Sequence, residues 1–97
     1  MFIVMLRFTE HMAKAGEFME GHKAWIAQGF ADGVFLLVGS LKPNQGGAVV
    51  AHNLSHAELA QRVNDDPFVA ENVVSAEIIE IEPARLDERL HFLDTSD

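Results

Sequence analysis

At 97 residues the chain has room for one domain of two packed layers, and its 48% hydrophobic residues suffice for a modest core. With no Cys it can hold neither a disulfide framework nor a thiolate metal site. The formal charge of −8 is uneven: residues 1–64 carry five acidic and five basic side chains, and residues 65–97 carry ten acidic ones against Arg85 and Arg89.

A surface of that charge, without a Lys/Arg stripe, repels phosphate backbones, which argues against nucleic acid and anionic membranes as partners. Residues 1–7 show neither a basic n-region nor a small-residue cleavage site, so no signal peptide is expected. No apolar run approaches the roughly 20 residues of a membrane span. The expectation is a soluble cytoplasmic protein.

Residues 2–8 are short and rich in large apolar side chains, which predicts a buried first strand followed by a helix start with Thr9 as cap. The helix is expected over about 11–31, ended by Asp32-Gly33, where glycine is free to turn left-handed. Met12, Ala15, Met19, Ile26 and Phe30 form its apolar stripe, with Phe18 and Trp25 on the flank. His22 falls inside that stripe. An imidazole there is either a hydrogen-bonded core histidine or a functional group held in a dry pocket.

Residues 34–40 read as a second strand, 42–47 as a turn and 48–52 as a third strand. Ser55 and Glu58 then make a capping box flanked by the Leu54/Leu59 staple, so a short helix begins at His56 and ends by Asn64. Asp66-Pro67-Phe68 predicts a fresh one-turn helix with Asp66 as cap and Pro67 at the first helical position. Residues 72–82 form the fourth strand, stopped by Pro83. The domain is placed at 1–83 and an acidic tail at 84–97, in which Leu86, Leu90 and Leu93 recur at helical spacing and offer a docking stripe.

The order βαββαβ predicts an α+β domain of ferredoxin-like type, with two helices on one face of a four-stranded antiparallel sheet. The first two strands are apolar on both faces, so the uncovered face is expected to be apolar too. Pairing of two sheets in a homodimer would cover it.

These features resemble the YciI-like family, a branch of the dimeric α+β barrel superfamily that also contains muconolactone isomerases and small cofactor-free monooxygenases. The resemblance spans residues 2–83. It is carried by the apolar first strand, Gly21-His22 in the first helix, Val38-Gly39-Ser40-Leu41 at the end of the second strand, and Asp66-Pro67-Phe68. It implies a homodimer whose sheets pack into a barrel, a cleft between helix and sheet, and a His–Asp pair at His22 and Asp66. It also implies lyase or isomerase chemistry on small substrates, including dehydrochlorination of hydroxylated aromatics. The chain departs from the family pattern at Gly39-Ser40, where many relatives have Gly-Pro. It also has Met19 and Glu20 where a basic residue would precede the histidine.

In such a pair, a carboxylate on one ring nitrogen fixes the imidazole tautomer and raises the basicity of the other nitrogen, which then moves a proton. The competing reading has Asp66 as a plain helix cap and His22 as a core residue. Ser40 is a candidate hydrogen-bond donor to a substrate oxygen, or ordinary turn chemistry. Trp25, Phe35 and Phe68 are candidate walls of an aromatic pocket, or core. Arg7 is a candidate partner for an anionic substrate, or makes an ordinary salt bridge with an acidic neighbour such as Glu10. His52 and His56 are separated by a strand end and a helix start, so they do not form a helical metal pair. No metal, haem, flavin or nucleotide signature is present, so no cofactor is expected. The leading expectation is a cofactor-free lyase or isomerase acting on a small molecule; the alternative is a binding or purely structural dimer module.

Overall fold

A computed structural model describes residues 1–94 of the chain. Strand β1 spans Phe2–Phe8 and helix α1 Ala15–Ala31; β2 (Phe35–Leu41) and β3 (Gly46–Ala51) form a hairpin. Helix α2 (His56–Asn64), the one-turn helix α3 (Pro67–Ala70) and β4 (Val74–Glu80) follow. The sheet order is β2-β3-β1-β4 with every neighbour antiparallel, which is the ferredoxin-like arrangement.

Central β1 is bonded on both sides, so its alternation sorts side chains between two faces. Phe2, Val4 and Leu6 are buried beneath the helices together with Val49, Leu59, Val63 and Val73. On the opposite face the register aligns Leu37, Val50, Ile3 and Ile79 in one row. Leu37 is 55% exposed there, and Ile79 39%. That row is apolar, and beside it the same face carries Met5, Arg7, Ser75 and Glu77.

Helix α1 begins four residues later than its periodicity suggests. Thr9 Oγ1 accepts from His11 N and donates to the Asn72 carbonyl, anchoring the exit of β1 to the entry of β4, and a 3₁₀ turn over Met12–Lys14 precedes the helix. The buried stripe is also rotated. Met12 and Phe30 are exposed, whereas Trp25 and Gly29 are buried with Phe18, Met19 and Ile26 packed alongside. Gly29 sets this rotation, because a Cβ on it would overlap the Phe35 ring.

The hairpin strands reach further than expected, to Leu41 paired with Gly46. Gly46 takes φ +129°, and a Cβ there would collide with the Leu6 carbonyl, so the glycine read as turn chemistry belongs to the sheet. Strand β4 is shorter than residues 72–82 because Asn72 turns left-handed at φ +59°. The capping box of α2 is formed in both directions, Glu58 N to Ser55 Oγ at 3.1 Å and Ser55 N to Glu58 Oε1 at 2.8 Å. In the tail, a 3₁₀ segment over Glu88–Leu93 buries Leu93 and leaves Leu90 exposed, so the three leucines do not act as one stripe. Phe92 meets the His52 ring edge-on at 5.7 Å.

Candidate functional site

Asp66 leaves α2 in an extended conformation (φ −66°, ψ 123°), and Pro67 starts α3 directly after it. Its Oδ1 accepts the Phe68 N–H at 3.1 Å, as an N-cap should. The same oxygen lies 2.8 Å from His22 Nδ1 on α1. Asp66 is completely buried, while the His22 side chain keeps 15% of its surface. An ionised carboxylate only accepts, so with Asp66 in that form Nδ1 is the donor in the His22 bond. A neutral His22 ring then has its lone pair on Nε2.

Nε2 has no protein partner among the described residues, and it is not sealed. The sealed side-chain polar atom without a partner there is Asp66 Oδ2. A buried carboxylate oxygen lacking a donor is costly, and such exceptions call for a specific cause. A positive charge forming on His22 would supply compensation for that carboxylate at 2.8 Å.

The imidazole is held in place by rings. It stacks on Phe68 with centroids 4.0 Å apart and planes 3° from parallel, and it lies near-parallel to Trp25 at 6.0 Å. Trp25 is itself fixed by its Nε1 donating to the Arg62 carbonyl at 2.8 Å and by edge contact with Phe35 at 5.0 Å. Rotation of His22 about its side-chain torsions would break both the stack and the Asp66 bond.

His22 lines a cavity of about 370 Å³ between α1 and the sheet, at the lower end of the range for small-molecule sites. Its walls are largely apolar, with Met19 and Ile26 above, Leu6, Val38 and Val49 below, and Phe68 at the side. Ser40 lies opposite Gly47 in the row of Leu6, on the helix-covered face, and lines the same cavity. His22, Ser40 and Phe68 therefore meet at one space, with Asp66 behind the imidazole. Trp25 lines a different space, an open groove of about 810 Å³ between α1 and α2 that includes neither His22 nor Ser40. Phe35 is buried and lines neither.

The larger groove is rimmed by polar side chains. Asp32 at the end of α1 accepts from Gln28 at 2.7 Å and pairs with Arg62 of α2 at 2.9 Å, and these bonds hold its carboxyl below the usual range, Gln28 first. That pattern ties two helices together and offers no reacting group. Arg7 pairs with Glu77 across the strands at 2.9 Å, an ordinary surface bridge with a different partner than the nearby Glu10. Among the described residues no three His, Cys, Asp or Glu side chains gather as a metal site needs. His52 faces Phe92 and His56 faces Phe2.

Sequence reading missed Lys23, which lines the cavity beside His22. A polar residue flanking an apolar stripe is ordinarily solvent-facing, and only the docking angle of α1 brings it to the cavity.

The solved structure of 5-chloro-2-hydroxyhydroquinone dehydrochlorinase (TftG) from Burkholderia phenoliruptrix AC1100, in complex with 2,5-dihydroxybenzoquinone, has the same fold. The TM-score is 0.68 at 15% identity, covering 84% of this chain and 94% of that one. At that identity the likeness establishes the fold. No protein-family model and no curated protein sequence matches the chain. Among the described residues no helix is long and apolar enough to cross a membrane.

Proposed function

We propose that the protein is a cofactor-free enzyme of lyase or isomerase type in which His22 transfers a proton on a small substrate bound in the cavity between α1 and the sheet. The observation that carries this reading is the 2.8 Å bond from His22 Nδ1 to a wholly buried Asp66, made by a residue that also lines the cavity. Nε2 takes a proton from a carbon or oxygen acid. Asp66 holds the tautomer and stabilises the imidazolium, and Nε2 then returns the proton to an adjacent atom or to a leaving group. Such a group contributes about 10²–10⁴-fold. Ser40 donates a hydrogen bond to the substrate oxygen on which charge develops. Phe68 supplies the aromatic wall, Trp25 lies near-parallel to the imidazole, and Phe35 braces Trp25 from the core.

The resemblance to YciI-like proteins supports this assignment, as does a fold shared with a dehydrochlorinase. It makes hydroxylated aromatics with a leaving group the substrates to try first. We also infer a homodimer joined through the uncovered sheet face, because Leu37, Ile79 and Ile81 leave apolar surface that a monomer seldom exposes in one patch.

The competing reading, a non-catalytic binding or structural module, is favoured by one observation: Asp66 also caps α3 through Phe68 N. A panel of small hydroxylated aromatics and enolisable compounds, led by 5-chloro-2-hydroxyhydroquinone, separates the two. Chloride release and uptake of deuterium from solvent are the readouts. Turnover that falls at least about 10²-fold in His22→Gln is expected. Turnover indifferent to that change would refute the assignment, as would no exchange across the panel.

A further inference from the structure

We infer that the cavity beside His22 selects ligands carrying an anionic oxygen, a carboxylate, phenolate or enolate on a small planar skeleton, and that Lys23 is the residue that selects them. The inference rests on the cavity being a ligand site, as proposed above, and names the class of ligand.

Among the described residues, Lys23 is the one ionisable side chain besides His22 that lines the cavity; the other lining residues are apolar, glycine or Ser40. Its ammonium has no carboxylate within 4.0 Å among the described residues. Arg7, Arg62 and Arg89 each have one; Lys14, Lys42 and Arg85 have none either among the described residues, but Lys23 is the unpaired cation that lines the cavity. Glu20 stands three positions earlier on α1, near enough in sequence for a helical pair, yet forms none. On a chain of net charge −8 the surrounding field repels anions, so an unpaired cation at the cavity reverses that field locally.

Position sharpens the point. Lys23 is exposed, so its ammonium stays hydrated at the mouth while its methylenes lie along the wall. An apolar cavity with a cation at the mouth and a hydrogen-bonding His22 and Ser40 inside suits a ligand whose ring enters and whose anionic oxygen stays near Lys23. Low-dielectric walls strengthen that attraction relative to open water.

Benzoate and benzamide, nearly equal in shape and differing in charge, are the probes. Their dissociation constants at neutral pH are read from NMR shifts of Met19, Ile26 and Phe68 in the full chain. Wild type is expected to favour benzoate by about three- to ten-fold, within the range of an ion pair between exposed and partly shielded. Lys23→Arg should keep that preference, Lys23→Met should abolish it, and raising the salt should narrow it. Equal affinities in wild type, a preference that survives Lys23→Met, or no shifts with either probe would overturn the inference. His22→Gln separates it from the catalytic reading. A preference intact in that variant supports Lys23 as the selector even if proton transfer proves independent of His22. A preference lost with His22 while Lys23 is intact counts against Lys23.

Discussion

Gly21 packs so closely on Pro67 that a Cβ on the glycine would stand 2.9 Å from Pro67 Cγ. This approach of α1 to α3 brings the next residue, His22, within 2.8 Å of the cap of α3. A side chain on Gly21 would push the two helices apart where the pair is made.

Gly21→Ala is therefore expected to separate stability from activity. Overpacking costs about 1–3 kcal/mol, and better helix propensity returns about 1 kcal/mol, so thermal unfolding should shift modestly. The His22–Asp66 bond should lengthen and turnover should drop by more than ten-fold, since small misplacements of reacting groups are costly. Unchanged turnover would mean that the close approach serves packing alone.

Asp66→Asn keeps a side-chain oxygen for Phe68 N–H and should hold the fold to within about 1 kcal/mol, because Asn caps as well as Asp. It removes the charge that stabilises an imidazolium, so activity should fall about 10²-fold. Asp66→Ala loses the cap as well and should destabilise by about 0.5–2 kcal/mol. Denaturant unfolding beside steady-state kinetics on both variants checks this. Full activity in Asp66→Asn beside a stability loss confined to Asp66→Ala would point to a purely capping Asp66.

The helix caps were legible from sequence because their signals are local. Ser55-x-x-Glu58 and Asp66-Pro67 each specify a hydrogen bond a few residues away, and both formed. The candidate pair was legible in part for the same reason, since a cap of known position constrains where its carboxylate sits. The start of α1 was not, because Thr9 spends its hydroxyl on the Asn72 carbonyl, more than sixty residues away in sequence. Where Trp25, Phe35 and Lys23 would sit was not legible on similar grounds. Whether a helical side chain meets the cavity, the groove or the core depends on the helix rotation, which here follows from Gly29 receiving the Phe35 ring.

The capping box makes an acid-stability prediction. Glu58 is held below the usual carboxyl range by the Ser55 backbone N–H first and the Ser55 hydroxyl second. A depressed folded value means that this contribution is present above the ordinary glutamate value and lost as pH falls through the lower folded one. Glu58→Gln can still bond Ser55 N–H but does not titrate. Its unfolding midpoint should fall less steeply with acid than that of wild type, and parallel acid limbs would contradict the linkage.

Association is tested on the sheet face. Light scattering should give about twice the 10.7 kDa chain mass, and Leu37→Asp, placed in the row with Val50, Ile3 and Ile79, should return a monomer with its fold intact. A stable wild-type monomer would remove the proposed dimer.

The central claim is that Asp66 fixes His22 with its proton on Nδ1 and leaves Nε2 free to react. Long-range ¹H–¹⁵N correlation of the histidine rings in ¹⁵N-labelled protein, at a pH where His22 is neutral, reads this directly. The account predicts a protonated Nδ1 and an unprotonated Nε2 in wild type, with the Nε2 resonance moving when a cavity ligand is added. A His22 ring protonated on Nε2, or an Nε2 that no ligand perturbs, would contradict it.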